Sequence, residues 1–312
     1  MPFVFIFVQP KILILKDIVL SIKGLTKRYG SITAVKNLDL EIERGSVFGI
    51  LGPNGSGKTT TLGVLLDVTR ADSGTFSWFG GLPEKTQRKR IGAILEVPLF
   101  YPYLTGKQNL ALVAKIKDLP GDDVDEALRS VDLYDRRDSK FRTYSLGMKQ
   151  RLAVASTLIG KPEVLILDEP TNGLDPRGIA EIRNIILNVA SQGVTIILAS
   201  HILDEVQKTC THVAVLEKGK KLYSGAVSEV LNDGQWIELA SENMAGLQLM
   251  LKQLDFVDHI QEEFDKYIIK LKSNISQGEL NSLFFSKGIV LTHLAVRKKS
   301  LEKYFLELLD KS

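Results

Sequence analysis

The chain has one cysteine, Cys210, in 312 residues, which excludes an internal disulfide, and no Cys/His cluster has metal-site spacing. A reducing cytoplasm is the compartment this implies. Excess charge of either sign is also missing. Lys and Arg number 40 against 37 Asp and Glu, and the resulting +3 is too balanced for a nucleic-acid surface, so no DNA or RNA partner is expected. Residues 3–8 and 12–15 are apolar, but Gln9, Pro10 and Lys11 divide them, and neither part approaches the ~20 residues of a spanning helix. No basic start precedes a small-residue cleavage site, so residues 1–17 read as a disordered N-terminal tail. The remaining composition, 44% hydrophobic and 25% charged, is that of a globular protein with one large domain or two smaller ones.

What the chain does carry centres on Gly52, Pro53, Asn54, Gly55, Ser56, Gly57, Lys58 and Thr59, a complete G-x-x-x-x-G-K-[ST] phosphate loop. Residues 46–51 before it are apolar and partly β-branched, as suits a buried parallel strand, and residues 60–66 after it read as a helix. Glycines permit the tight turn that aims successive N–H groups at phosphate oxygens, and the helix directs its positive end at the same anion. The ligand this predicts is a nucleoside triphosphate, with Lys58 bridging its β- and γ-phosphates and the Thr59 hydroxyl on Mg²⁺.

Around the loop, residues 19–42 alternate like an antiparallel flap with a turn at residues 28–31. Tyr29 in that turn is either a ring that lies flat on a purine base or an ordinary turn aromatic. Residues 74–79 and 91–96 read as strands. The second ends in Glu96, which either meets Mg²⁺ or water or is a plain polar strand end. The charged residues 85–90 read as a solvated face. From residue 98 to 144 the β signal gives way to helical spacing at 106–117 and 124–133, and Ser145 is a plausible N-cap for a further helix. Residues 164–167 are apolar and end in Asp168 and Glu169, as a buried parallel strand delivers carboxylates to a sheet edge. They follow Lys58 by 110 residues. Asp168 suits Mg²⁺, and Glu169 suits the base that orients attacking water. Residues 194–199 form one more apolar strand, which ends at His201: uncharged, its ring either hydrogen-bonds a γ-phosphate or is a satisfied core histidine.

Taken together these residues resemble the ATP-binding subunit of ABC transporters over roughly residues 19–230. The resemblance makes Tyr29 the base-stacking aromatic, residues 52–60, including Thr60, the Walker A loop, Glu96 the Q-loop position and residues 145–150 the signature. Asp168 and Glu169 become Walker B, Leu174 and Asp175 the D-loop, and His201 the switch histidine. What it implies is an α/β fold, with a P-loop ABC ATPase core over residues 18–232 and a helical signature subdomain at about residues 98–158. The implied cofactors are ATP and Mg²⁺, with Glu169 and His201 catalytic, Thr59, Glu96 and Asp168 on the metal, and Asp175 among the nucleotide-binding residues. Ser145 and Gly147 are implied to touch the γ-phosphate held by a second ATPase subunit in a homodimer. A separate transmembrane permease would dock at residues 97–104, placing the protein peripherally on the cytoplasmic face of the cell membrane.

Two positions depart from the family pattern: Leu-Ser-Gly-Gly-Gln reads Tyr144, Ser145, Leu146, Gly147, Met148 here, and the Q-loop Gln is Glu96. Both variants resemble exporter ATPases of the ABC-2 type, particularly the bacitracin and lantibiotic self-protection group, which points to export. The alternatives are the ATPase of an importer and a soluble ABC ATPase outside transport. The ribosomal kind of the latter has two cassettes in one chain and the DNA-end kind long coiled coils, and no heptad run occurs here.

Residues 233–312 read as a separate accessory α+β domain. Strands at 236–239, 257–262, 267–272 and 289–296 and helices at 242–252 and 278–286 spell β-α-β-β-α-β, the ferredoxin-like order, with a capping box opening the second helix at Ser276 and Glu279. A last helix carries Leu301, Tyr304, Phe305, Leu308 and Leu309 on one stripe, expected to cover either this domain's sheet or the ATPase.

Overall fold

The computed structural model describes residues 17–81, 85–95, 99–231, 235–297, 301, 302, 304 and 305. The strands of the larger part are, in chain order, β1 (Ile18–Tyr29), β2 (Ile32–Glu43), β3 (Val47–Leu51), β4 (Ser73–Trp78), β5 (Ile91–Ile94), β6 (Val164–Asp168), β7 (Thr195–Ser200), β8 (His212–Glu217) and β9 (Lys220–Ala226). β1, β2 and β4 make the antiparallel flap, in the order β2-β1-β4. The central sheet has six strands in the order β5-β6-β7-β3-β8-β9, parallel except for β9, which returns antiparallel to β8.

Strands β3, β6 and β7 are buried along their whole length, which is why each reads as an unbroken apolar run rather than an alternating one. Their side chains still alternate between two cores. Phe48, Ile50, Ile166 and Ile197 join the flap and Leu62 of the helix that follows the phosphate loop, whereas Leu51, Leu165, Leu167 and Leu198 join the helical side. On that side helices Gly106–Ile116 and Val124–Ser130 pack against the helix Leu146–Leu158. The first starts on a complete capping box of Thr105 and Gln108, and the third is capped by Ser145, whose Oγ accepts from the Met148 N–H.

The accessory part has strands β10 (Gln235–Ser241), β11 (Val257–Glu263), β12 (Lys266–Leu271) and β13 (Leu291–Arg297), ordered β11-β12-β10-β13 and antiparallel throughout, with helices Met244–Leu251 and Gln277–Ser286. This is the ferredoxin-like arrangement expected from the sequence. The capping box at Ser276 and Glu279 is formed, and Ile237, Leu239, Leu247, Ile269, Leu280 and Phe284 build a core of their own. The last helix resolves the choice left open above. Leu301 is 3% exposed and belongs, with Tyr304 and Phe305 against it, to the core of the ATPase rather than to that of the accessory sheet. Leu308 and Leu309 lie outside the described residues, as does the N-terminal stretch 1–16.

Candidate active site

Neighbouring parallel strands all end at the same edge of their sheet, and the order β6-β7-β3 sets three carboxyl ends side by side. From β3 comes the phosphate loop, from β6 Asp168 and Glu169, and from β7 Ser200 and His201. The register pairs Leu51 with Ser200 and Asp168 with Ala199, so the three ends also lie at one level.

The loop is held from outside itself. A Cβ on Gly57, at φ 104°, would drive into the carbonyl of Ala34 in β2, and one on Gly52 into the carbonyl of Leu216 in β8. Both therefore need glycine for close backbone approach. The Gly219 N–H donates to the Ser56 carbonyl at 3.0 Å, and the Lys36 N–H donates to the Gly219 carbonyl at 2.8 Å, which ties the loop to the β8–β9 turn and to the flap. Inside the loop Lys58 is 6% exposed, and its Nζ donates to the Gly52 and Pro53 carbonyls at 2.8 and 3.3 Å. Among the described residues the Ser56 Oγ has no hydrogen-bond partner although it is buried, while Thr59 at the start of helix Lys58–Leu65 is exposed.

Glu169 links the other two groups of the edge. One carboxylate oxygen lies 3.4 Å from Lys58 Nζ and the other 2.8 Å from His201 Nδ1. The residue sits at φ 49°, a left-handed conformation that costs a non-glycine residue of order 1–3 kcal/mol. The cost is offset by backbone anchors: the Glu169 N–H donates to the Ala199 carbonyl at 2.9 Å, and its own carbonyl accepts from the Asn172 N–H at 3.1 Å. The sharp exit from β6 turns the carboxylate back over the sheet edge toward the lysine. Asp168, one residue earlier and 3% exposed, stays within the strand end.

Other candidate residues are not gathered there. Ser145 and Gly147 open the signature helix, Leu146 between them is 53% exposed and lies beside Gly173, and among the described residues no hydrogen bond or ion pair joins them to residues 52–60. Asp175 caps the helix Pro176–Ser191, its Oδ1 accepting from the Gly178 N–H at 2.8 Å. Tyr29 ends β1 with 51% of its surface exposed and Lys27 Nζ 5.1 Å from its ring centre, so one face is open to a stacking partner. Glu96 lies outside the described residues.

A triphosphate fits this edge: Gly52 and Gly57 let the loop close tightly against β8 and the flap, the Ser56 hydroxyl is buried and among the described residues has no partner, and Lys58 supplies the cation. Among the described residues no group of three or more His, Cys, Asp or Glu could cage a metal by itself. Mg²⁺ suits such a place, because it keeps waters and takes substrate phosphates with one or two protein ligands.

The β8–β9 turn is a supporting element that the motif reading passes over. Lys218 and Gly219 are both left-handed, at φ 46° and 80°, the geometry of a tight hairpin turn, and a lysine-glycine pair between two β-forming runs is its sequence signal. Glu163 is another. Just before β6, it accepts from Arg90 at 2.7 Å and from Arg44 at 2.7 Å, joining the flap to the sheet. These hydrogen bonds, that of Arg90 foremost, hold its carboxyl down at about 2. Cys210, 7% exposed, has its thiol pushed up by burial, so it is a packing residue rather than a nucleophile.

Comparison with known proteins places this geometry. Residues 35–172 match the family described as ABC transporter. The bacitracin transport ATP-binding protein BcrA of Bacillus licheniformis is 39% identical over 294 residues, covering 91% of this chain and 95% of that protein. The lantibiotic transport ATP-binding protein SrtF of Streptococcus pyogenes is 37% identical over 220 residues, 69% of this chain and 96% of that one. Among solved structures, cbiO1 of Clostridium perfringens, described as part of the ABC transporter complex cbiONQ, is similar at a TM-score of 0.64 and 31% identity over 69% of this chain and 91% of its own. Likeness that runs through the whole ATPase core, and with the bacitracin protein through most of the accessory part too, assigns the chain to the ABC transporter ATP-binding proteins: it binds ATP and hydrolyses it.

Proposed function

We propose that the chain is the ATP-hydrolysing subunit of an ABC exporter, working as a pair of copies around two shared MgATP sites and driving a separate membrane-spanning permease from the cytoplasmic face. The observation that carries the shared site is a separation. Lys58, Glu169 and His201 meet at one sheet edge, while among the described residues no hydrogen bond or ion pair joins Ser145 or Gly147 to them. A second copy whose signature closes over the triphosphate completes the set.

In this reading Lys58 leaves the loop carbonyls for the β- and γ-phosphates, and Tyr29 stacks on the base. Thr59 and Asp168 would hold Mg²⁺, which would shield the phosphate charge. Glu169 orients the attacking water. His201 positions Glu169 through Nδ1, and a ring bonded this way has no second N–H when uncharged; to donate to a phosphate it must carry both protons or release the carboxylate. Among the described residues no helix is long and apolar enough to cross a membrane, which agrees with a permease on another chain. Leu99, 96% exposed, and the exposed rings of Tyr101 and Tyr103 support docking at residues 97–104, of which 97 and 98 lie outside the described residues. Export is supported by the variant signature and by the likeness to the bacitracin transport protein.

The test is Glu169→Gln. It should keep ATP binding, lose nearly all turnover and run as an ATP-dependent dimer on size exclusion, whereas Lys58→Ala should fail to bind ATP. A Glu169→Gln protein that hydrolyses at the normal rate and stays monomeric in ATP would sink both the base and the shared site.

A further inference from the structure

The accessory part reaches back to the ATP site through its last helix. Leu301 is 3% exposed inside the ATPase core, and its backbone N–H donates to Gln207 Oε1 at 2.9 Å. Tyr304 meets Tyr223 of β9 edge-on, with ring centres 5.3 Å apart and planes at 80°. Gln207 belongs to the helix Leu203–Thr209, which begins two residues after His201. The tail therefore holds the helix that follows the histidine, through Gln207, and separately holds β9, through Tyr223.

Beyond these anchors, Phe305 forms part of the wall of a cavity of about 310 Å³ whose other walls include Pro53 and Asn54 of the phosphate loop, His201 and Leu203. Of its other walls Leu51, Pro53 and Leu203 are apolar and Asn54 and His201 polar, and the Phe305 ring offers those two no hydrogen bond. What it can supply is volume, in the cavity also lined by the imidazole whose Nδ1 lies 2.8 Å from Glu169. A ring so placed takes up space in the cavity into which His201 could otherwise turn. Catalytic geometry is sensitive to this kind of support, since a displacement of about 1 Å can cost about 10²-fold in rate.

We infer that Phe305 is a positioning residue for ATP hydrolysis, holding His201 against Glu169, and that the C-terminal helix makes turnover depend on how the accessory part is docked. This rests on the role given to His201 above, and the experiment separates the two. In the full-length protein, ATPase kcat, KM and thermal midpoint are measured for Phe305→Ala, His201→Ala and the double variant. Phe305→Ala should lower kcat by about tenfold with KM for ATP unchanged, Phe305→Leu should recover most of the rate, and adding Phe305→Ala to His201→Ala should cost nothing further. Phe285→Ala, at a ring 70% exposed on the accessory helix, is the control for a nonspecific effect. If Phe305→Ala loses the packing of the helix altogether, Phe305→Val replaces it in the same cycle. A normal kcat in Phe305→Ala, or the same fractional loss with and without His201, overturns the positioning role while leaving the site intact. An unaffected rate in His201→Ala overturns the site reading and this inference with it.

Discussion

His201 Nδ1 and a carboxylate oxygen of Glu169 lie 2.8 Å apart, although the two residues are 32 positions apart in the chain and end different strands. The other oxygen of Glu169 is 3.4 Å from Lys58 Nζ, so one carboxylate links the ends of all three strands. His201→Ala should therefore leave nucleotide affinity near normal and lower kcat on the order of 10²-fold, the usual loss for a preorganised polar contact. Steady-state kinetics beside a fluorescent-nucleotide titration make the check; a parallel loss of affinity and rate would mean that His201 holds ground-state nucleotide instead.

The glycines of the two motifs should respond differently to alanine. Gly57 has φ 104° and would drive a Cβ into the Ala34 carbonyl, whereas around Gly147 a Cβ meets nothing within 4 Å among the described residues. Gly57→Ala should lower both the thermal midpoint and ATP affinity. Gly147→Ala lies in the first turn of a helix, where alanine is favoured over glycine by up to about 1 kcal/mol, so its midpoint should hold or rise. Its ATPase rate should nevertheless fall if, as proposed, a second copy closes on that open space. A wild-type rate for Gly147→Ala would remove the support for a shared site.

Acid should loosen the flap through Glu163. Its carboxyl sits at about 2, below the ordinary 4.5, because of Arg90 and then Arg44. A depressed carboxylate stabilises the fold fully above its unfolded value and loses that contribution as pH falls from there toward about 2. With a side chain 40% exposed the effect is screened, about 1 kcal/mol or less per pair. Glu163→Gln should lower the urea midpoint at pH 7, and the gap to the parent protein should narrow on acidification. A gap that is constant from pH 7 to strongly acidic conditions would show that the ion pairs contribute nothing.

Removing the accessory part should uncover apolar surface on the ATPase. A protein ending near Asn232 keeps every nucleotide-binding motif, but loses Leu301 from the core and Tyr304 from Tyr223. Burial of one such aliphatic side chain contributes about 1.5–3 kcal/mol, which is large against a domain's net stability. The truncated ATPase should bind fluorescent ATP, yet be less soluble and melt lower than the full chain. A truncated protein that is monodisperse and equally stable, but no longer binds nucleotide, would show that the accessory part builds the ATP site directly.

Much of this was legible in the chain because its information is local. The phosphate loop needs glycines and a lysine at set spacing, a buried strand must be apolar throughout, and a helix start is marked by Ser145 or by Ser276 with Glu279; each rule acts within a few residues. The ferredoxin-like order could likewise be read from alternation and spacing alone. Tertiary structure decided what no window of sequence contains. The order β6-β7-β3 brought Glu169, His201 and Lys58 to one edge, the Lys218-Gly219 turn came to support Ser56 from 163 residues away, and the stripe headed by Leu301 chose the ATPase core over its own sheet. An apolar stripe states only that something must cover it. Which surface does so depends on the free energy of competing long-range contacts, and that is settled when the whole chain packs.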